Sequence, residues 1–336
     1  MTDGYTSSFR TLLFRHSVLD TESNNNGENM KIVLLDALTF GSTDLSAFNE
    51  LGEVTIYQTT TPEQTQERIT DANVIVTNKV VISKEMISTC RQLKLICVAA
   101  TGMNNIDLQA AKALHVEVKN VAGYSTDSVI QHTFSILFYL MGHSRYYDEY
   151  VKSGKYSESG LFTDVSHPYF EVKNKKWGII GMGAIGRGVA NVAKTFGAKV
   201  CYHSTSGSNK KSEYQHLELD ELLKTCDIIT VHAPLNDKTN NLLDYEQLLM
   251  CKDGAFVLNL GRGGIINEDA MAKIIDEKNI YIGLDVLTKE PMPKNHPLLH
   301  VENKDRLYIT PHIAWASVEA RDTLIASVVE NIKSSF

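Results

Sequence analysis

Cysteine, proline and long apolar runs are all scarce in this sequence of 336 residues. It contains five cysteines and seven prolines, and no two cysteines form a CxxC pair. Five scattered cysteines are too few for a disulfide scaffold, so we expect reduced thiols in a cytoplasmic protein and no metal site. The longest apolar run, around Ile136–Met141, falls far short of the ~20 residues that a membrane span requires, so we expect no membrane partner.

An excess of positive charge is also missing. Lysine and arginine total 33 against 40 acidic residues, which gives a formal net charge of −7. This balance argues against nucleic acid as the main partner. Hydrophobic residues make up 43% of the chain, which is ordinary for a globular protein, and the length predicts about two domains.

The first 29 residues differ in composition from the rest of the chain. Residues 20–29 are polar and without periodicity, and the segment has no apolar core of 7–15 residues. It is therefore not a signal peptide, and we predict a disordered extension over residues 1–29.

From Met30 onward, short β-rich runs alternate with helical patterns in two successive series. Such alternation predicts parallel sheets built from βαβ units, and hence an α/β fold with two doubly wound domains. The strands predicted for the first series are Ile32–Leu35, Val54–Tyr57, Val74–Thr77, Leu95–Ala99 and Val116–Val118. Those predicted for the second series are Trp177–Ile180, Lys199–His203, Ile228–His232, Ala255–Leu260, Tyr281–Asp285 and Tyr308–Thr310.

Two helical segments stand outside this alternation. One is predicted over residues 125–152, between the two series, and it carries more aromatic surface than a single contact face requires. The surplus indicates a dimer interface, with burial inside the subunit as the alternative. The other helix is predicted over residues 317–333, and its pattern allows packing on either domain.

A GxGxxG motif spans Gly181–Gly186, after a predicted strand and at the start of a predicted helix. In that context the glycines permit a tight turn and the close approach of a pyrophosphate to the helix N-terminus. We therefore predict dinucleotide binding here; a purely structural turn is the alternative. The motif residues expected to contact the cofactor are Gly181, Gly183, Ala184, Ile185 and Gly186.

The residue expected to grip the cofactor ribose is not acidic. Such sites usually carry a carboxylate ~20 residues further on, but Ser204 stands there, and the first carboxylate is Glu213. A hydroxyl-rich loop followed by Lys210 and Lys211 can accept a 2′-phosphate. The loop therefore favours tolerance of, or preference for, NADP, unless it is an ordinary surface turn.

Chemically distinctive residues follow the later strands of the second series. Because the carboxyl ends of parallel strands border the ligand crevice, we expect these residues to share one site. The motifs are His232–Leu235, Asn259–Gly264, Gly283–Val286, Glu290-Pro291 and Thr310–Ile313.

Together with the glycine motif, these ordered motifs resemble the D-isomer-specific 2-hydroxyacid dehydrogenase family. The likeness covers nearly the whole chain from Met30, including Ala99–Asp107 and Ala122–Val129 in the first half. Residues 296–299 and 310–317 look most like the glycerate dehydrogenase, or hydroxypyruvate reductase, branch. The resemblance implies hydride transfer between NAD(P)H and a small 2-oxo acid such as hydroxypyruvate or glyoxylate.

The resemblance also implies a role for each matching residue. Arg262 pairs with the substrate carboxylate and polarises the keto oxygen, and His312 is the acid/base. Glu290 holds the imidazole and stabilises its charged form. The substrate carboxylate is expected at the backbone N–H groups of Gly102 and Met103. Further cofactor contacts are expected at Ala233, Pro234, Leu260, Gly261 and, beside the nicotinamide carboxamide, Asp285.

The family fold also implies how the chain divides into two domains. A flavodoxin-like substrate domain is expected over residues 30–125 and 313–336, and a Rossmann NAD(P)-binding domain over 126–312, with the active site in the cleft between them. Helix 125–152 and its loop form the dimer interface in such relatives, so we expect a homodimer.

Three alternatives to reduction of a small 2-oxo acid remain open. A dinucleotide-binding transcriptional corepressor would need a peptide-binding cleft. A formate dehydrogenase usually carries glutamine at the position of Glu290. A phosphoglycerate dehydrogenase often has an additional C-terminal regulatory domain, although a short form fits this chain. Reduction of hydroxypyruvate, followed at 340 nm, separates an enzyme from a corepressor.

Overall fold

The computed structural model describes residues 29–207 and 213–336. Within these ranges the chain forms two all-parallel sheets, one of five strands and one of seven, which confirms the predicted α/β fold with two parallel-sheet domains. The predicted extension over residues 1–29 lies outside the described residues apart from residue 29. Lys210 and Lys211, on which the prediction of NADP binding partly rests, also lie outside the described residues.

The first sheet has the strand order 2-1-3-4-5, the flavodoxin-like arrangement that the family resemblance implies. Its central strands are mostly apolar because helices cover both faces of a parallel sheet. All four residues of the third strand and of the fourth are buried. The strands are β1 (Lys31–Leu34), β2 (Glu53–Ile56), β3 (Val74–Thr77), β4 (Leu95–Val98) and β5 (Glu117–Asn120).

The second sheet begins at the strand that precedes the glycine motif. Its order is 12-11-10-9-6-7-8, which is the six-stranded Rossmann arrangement with one further strand at the edge where the chain's last strand lies. The two-residue edge strand β8 is not among the predicted strands. The strands are β6 (Lys176–Ile180), β7 (Lys199–His203), β8 (Gln215–His216), β9 (Ile228–Val231), β10 (Ala255–Asn259), β11 (Ile280–Leu284) and β12 (Leu307–Ile309).

Helices connect the strands, and no helix among the described residues is long and apolar enough to cross a lipid bilayer. Short 3-10 turns lie at Ala37–Phe40, Ser46–Glu50, Pro297–Leu299 and Lys304–Arg306. The α-helices are α1 (Pro62–Ile69), α2 (Lys84–Thr89), α3 (Leu108–Ala113), α4 (Thr126–Met141), α5 (Ser144–Lys152), α6 (Lys155–Glu158), α7 (Ala184–Thr195), α8 (Leu219–Thr225), α9 (Tyr245–Met250), α10 (Glu268–Glu277) and α11 (Val318–Lys333).

The prediction of one helix over residues 125–152 is wrong. The helix ends at Met141, Gly142 is its C-cap, and His143 adopts a left-handed conformation with φ +46°. A left-handed residue cannot continue a right-handed helix, so the chain turns and α5 starts at Ser144. The two halves then differ in burial: seven residues of α4 are buried and none of α5.

The long helices α4 and α11 pack on different sheets. Phe134 of α4 lies in the core of the second sheet, with its ring centroid 5.1 Å from that of Trp177. Helix α11, which could have packed on either domain, instead buries Leu324, Val328 and Ile332 in the core of the first sheet. The end of the chain therefore returns to the sheet with which the described chain begins.

Candidate active site

Arg262, Glu290 and His312 follow three adjacent strands of the second sheet. Arg262 comes after β10, Glu290 after β11 and His312 after β12, and these strands are direct neighbours in the sheet. In a parallel sheet their carboxyl ends lie side by side, so the topology directs all three residues to one edge. The side chains that sequence analysis proposed as catalytic thus belong to one region of the molecule.

His312 and Glu290 form a direct hydrogen-bonded pair. The imidazole Nδ1 lies 2.7 Å from Glu290 Oε2, and the Leu287 N–H donates to Glu290 Oε1 at 2.9 Å. Partial burial alone raises the pKa of Glu290, but the hydrogen bonds from His312 and Leu287 outweigh it and bring the net pKa below its ordinary value. The carboxylate is therefore ionised at neutral pH and accepts a hydrogen bond from Nδ1. Nε2 is left available to exchange a proton with a substrate.

The loop that carries His312 is anchored by the buried carboxylate of Asp285. The Thr310 hydroxyl donates to Asp285 Oδ1 at 2.7 Å, and the Ile313 N–H donates to the same oxygen at 2.8 Å. The Ala314 N–H donates to Oδ2 at 2.9 Å. These three bonds fix the chain on both sides of His312, which has φ +53°. Asp285 thus positions the histidine loop, and its expected contact with the cofactor remains a prediction.

The Arg262 guanidinium lies against the first sheet. A Cβ atom placed on Gly102, in the loop after β4, would stand 3.2 Å from Arg262 Nη2. The base of the arginine is held by Asn259, whose side-chain NH₂ donates to the Arg262 carbonyl at 2.8 Å. Among the described residues no carboxylate lies within 4.0 Å of the guanidinium. An arginine without an anionic partner at a cleft is suited to bind an anionic ligand.

The glycine motif forms an open cradle at the start of α7. Gly181 has φ +97°, and a Cβ there would stand 2.8 Å from the Ala233 nitrogen, so no larger residue fits. A Cβ on Gly183 would meet nothing within 4 Å, and this N-cap residue offers no side chain to the free N–H groups of the first turn. Open space in front of unsatisfied N–H groups fits a pyrophosphate, so the residues present are suited to a dinucleotide.

His232, at the end of β9, contributes an unsatisfied polar group beside this cradle. Its carbonyl carbon would stand 2.9 Å from a Cβ on Gly181. Both ring nitrogens are buried without a hydrogen-bond partner among the described residues, and burial lowers the pKa of His232 to about 3. The imidazole is therefore neutral at physiological pH.

Ser204 stands at the end of β7 and is 8% exposed. The next carboxylate along the chain, Glu213, pairs with Lys194 at 3.6 Å on an exposed surface. Glu213 is therefore engaged elsewhere and does not substitute for the missing acidic residue. The substrate-site residues expected at Gly102 and Met103 follow β4, and Gly102 is the one that meets Arg262.

Sequence analysis missed two residues of this region, Asp36 and Lys79. Asp36 follows β1 and is buried, and its carboxylate accepts the backbone N–H groups of Asn78 and Lys79. Both residues follow strands of the first sheet at their carboxyl ends. That position alone could have identified them, because the same rule selected Arg262 and His312 in the second sheet.

Comparison with known proteins assigns this constellation to a family. The model described as "D-isomer specific 2-hydroxyacid dehydrogenase, NAD binding domain" matches residues 134–314. A putative 2-hydroxyacid dehydrogenase of Haemophilus influenzae is 37% identical over 90% of this chain and 97% of that protein. A hydroxypyruvate reductase of Blautia hydrogenotrophica is 33% identical over 90% of this chain and 96% of that protein.

A solved structure shares both sheets. An acyclic imino acid reductase in complex with NADPH and D-Arg superposes with a TM-score of 0.78 at 29% identity, covering 91% of this chain and 96% of that one. The motif order, the strand order and these likenesses agree. The chain belongs to the D-isomer specific 2-hydroxyacid dehydrogenase family.

Proposed function

We propose that this D-2-hydroxyacid dehydrogenase reduces hydroxypyruvate to D-glycerate, or glyoxylate to glycolate. The observation that carries the proposal is the His312–Glu290 hydrogen bond of 2.7 Å at the sheet edge that also carries Arg262. A proton donor, its orienting carboxylate and an unpaired arginine are what reduction of a 2-oxo acid requires.

Each of these residues has a defined role in the proposed reaction. Arg262 binds the substrate carboxylate and polarises the keto oxygen, while the Gly102 and Met103 N–H groups bind the carboxylate from the other side of the cleft. The nicotinamide, when bound, supplies the hydride that C2 receives. His312 donates the proton that converts the keto oxygen into the hydroxyl, and Glu290 stabilises the imidazolium beforehand. On oxidation the same proton returns to His312.

The cofactor is a nicotinamide dinucleotide, and we propose that the cradle accepts the phosphorylated form as well as NAD. The motif glycines, together with Ala184, Ile185, Ala233, Pro234, Leu260 and Gly261, would surround it. Ser204 supports the wider specificity because a hydroxyl neither repels a 2′-phosphate nor leaves it without a hydrogen-bond partner.

We also infer which parts of the chain form the substrate domain and which form the cofactor domain. The substrate domain comprises residues 30–125 and 313–336, and the NAD(P) domain comprises 126–312. The packing of α11 on the first sheet supports this division. The five buried free thiols support a cytoplasmic location, where the glutathione system keeps cysteines reduced.

The protein is proposed to be a homodimer, because the segment after α6 exposes an unusual amount of apolar surface. Its members, which we call the 161–170 patch, are Leu161, Phe162, Val165, Tyr169 and Phe170, with exposures from 57% to 90%. Helix α5, none of whose residues is buried, lies a few residues before the patch. A contiguous apolar surface of this kind is typical of a protein interface.

A substrate panel tests the function. Hydroxypyruvate, glyoxylate, pyruvate and 3-phosphohydroxypyruvate are offered with NADH and with NADPH, and oxidation of the cofactor is followed at 340 nm. Turnover of hydroxypyruvate or glyoxylate supports the proposal. Binding of NADH without turnover of any acid would favour the corepressor instead, and turnover restricted to a phosphorylated acid would favour a short phosphoglycerate dehydrogenase.

A further inference from the structure

The turn after β3 holds Lys79 at the carboxyl end of the first sheet. The Lys79 N–H donates to Asp36 Oδ2 at 2.7 Å, and the Asn78 N–H donates to Asp36 Oδ1 at 2.9 Å. The next residue is fixed as well, because the Val80 N–H donates to the Thr77 hydroxyl at 2.9 Å. The backbone of Lys79 is thus fixed from both sides, whereas its side chain is exposed.

The same turn is bonded to the loop expected to bind the substrate carboxylate. The Asn105 side-chain NH₂ donates to the Val80 carbonyl at 2.9 Å, and the Ile82 N–H donates to the Asn105 carbonyl at 2.8 Å. That loop begins after β4, the neighbour of β3 in the sheet, and contains Gly102. Since Gly102 meets the Arg262 guanidinium, Lys79 is attached to the loop that borders the catalytic arginine.

The charge of Lys79 interacts with those of two residues of the candidate site, Glu290 and Arg262. Although the side chain keeps access to solvent, neighbouring atoms partly desolvate the ammonium and so lower the pKa of Lys79. The charge of Glu290 acts to raise this pKa, that of Arg262 to lower it and that of Asp36 to raise it. Among the described residues no carboxylate lies within 4.0 Å of Lys79 Nζ. Two cations without close anionic partners, Lys79 and Arg262, therefore border one cleft from opposite sheets.

We propose that Lys79 binds an oxygen substituent on C3 of the substrate and so selects 2-oxo acids with a 3-hydroxyl over those with a plain methyl group. This inference rests on the proposed function. Arg262 and the Gly102 loop account for the carboxylate and the keto oxygen. A third polar group at C3 requires a third donor, and the lysine ammonium offers three N–H donors on a long, flexible stem.

The test compares hydroxypyruvate with pyruvate, which differ by this hydroxyl alone. Lys79→Met removes the charge at nearly constant length. We expect kcat/KM for hydroxypyruvate to fall about 10- to 100-fold, mainly through KM, because a donor built for a hydroxyl is lost. The value for pyruvate should change by less than about threefold. Lys79→Arg should restore part of the preference, and the exposed Lys84→Met should leave both substrates unaffected.

A binding measurement keeps the test independent of turnover. D-Glycerate and D-lactate are titrated into the NADH-loaded protein, in which neither acid can be oxidised, and the heat of binding is recorded. Lys79→Met should weaken D-glycerate binding at least about tenfold and leave D-lactate binding nearly unchanged.

The possible outcomes distinguish failure of the Lys79 assignment from failure of the proposed function. Equal losses for hydroxypyruvate and pyruvate, or no loss for either, would overturn the assignment of Lys79, since both contradict selection at C3. Should the wild type reduce neither acid while the variant weakens D-glycerate binding alone, the proposed function fails and the role of Lys79 as a C3-oxygen ligand stands. A melting temperature equal to that of the wild type establishes that the variant is folded.

Discussion

The hydrogen bond between His312 and Glu290 leads to a prediction about the pH dependence of reduction. Reduction begins with a protonated imidazole, so kcat/KM for reduction should fall as the pH rises and the proton is lost. The pKa of Glu290 lies below its ordinary value of 4.5, so the carboxylate is negative throughout the neutral range and stabilises the imidazolium. Glu290→Gln removes that stabilisation. We expect the falling limb of the pH profile to move to lower pH.

The control for this prediction is the histidine itself. His312→Gln should suppress reduction at every pH, because no proton donor remains, while NADH binding persists. Profiles of kcat/KM between pH 5 and 9 for the wild type and both variants provide the measurement. An unmoved limb in Glu290→Gln, or substantial activity in His312→Gln, would contradict the proton-transfer assignment.

We propose that Ser204, the residue after β7, governs the choice between NADH and NADPH. Ser204→Asp would present a carboxylate that accepts a hydrogen bond from the ribose 2′-hydroxyl and repels a 2′-phosphate. We expect the ratio of kcat/KM for NADH to that for NADPH to rise at least about tenfold. Glu213→Gln is the matched control, since its carboxylate pairs with Lys194 and should leave the ratio unchanged. A constant ratio in Ser204→Asp would be incompatible with this interpretation.

The sequence identified those candidate site residues that have a chemically distinctive side chain and also lie in a recognisable motif. Arg262, Glu290 and His312 met both conditions, and the structure brings Glu290 within 2.7 Å of His312. Asp36 and Lys79 met only the first, because the turn after β3 carries no motif. Their relation depends on the pairing of β1 with β3, residues 42 and 43 positions apart, and local sequence does not encode that pairing.

Two glycines at the start of α7 differ in the space that surrounds them. Gly183→Ala places a methyl group where nothing lies within 4 Å, and φ −78° suits alanine, so the melting temperature should not change. The same methyl would occupy the space expected for the pyrophosphate. We therefore expect the dissociation constant for NADH to rise at least about tenfold, as measured by quenching of protein fluorescence.

Gly186→Ala is the contrasting variant in the same motif. Its Cβ would collide with the Gly181 carbonyl oxygen, so the helix has to shift away from the strand. Overpacking of this kind costs about 1–3 kcal/mol, and the melting temperature should fall. If Gly183→Ala destabilises the protein as much as Gly186→Ala does, or binds NADH like the wild type, the open-cradle assignment is wrong.

Strand elements were predictable because buried parallel strands have a strong apolar signature. The prediction Val74–Thr77 matches β3 residue for residue, and most others differ by one or two positions. The failures have physical causes. The edge strand β8 spans only two residues and has no apolar run to detect. The break after α4 depends on the left-handed backbone of His143, which propensity does not anticipate.

At the scale of the whole molecule, the candidate active site draws residues from both sheets. The second sheet provides the Arg262 guanidinium, and the first provides Gly102, on which that guanidinium lies. Two series of strands were evident in the sequence, but the placement of α11 was not, because its apolar stripe fits either domain. Its packing on the first sheet joins the chain after His312 to the opposite side of the cleft.

The 161–170 patch leads to a prediction about assembly. Phe162 is 90% exposed in the single chain, which is unusual for a ring of this size. Burial of one such ring stabilises an interface by about 1.5–3 kcal/mol, and a two-fold axis doubles the effect. Phe162→Glu removes both contributions and introduces two charges. We expect the dimer dissociation constant to rise at least about a hundredfold, so that the variant sediments as a monomer at micromolar concentration.

The control for assembly is an equally apolar but remote site. Leu38 is 61% exposed and lies in the first 3-10 turn of the first sheet, away from the patch, so Leu38→Glu should leave the dimer intact. Sedimentation velocity on the wild type and both variants, at several concentrations, gives the mass of each species. A wild type that remains monomeric at every concentration contradicts the homodimer directly. A dimer that survives Phe162→Glu but dissociates in Leu38→Glu would instead move the interface to the first sheet. The apolar surface after α6 would then have to serve a different partner.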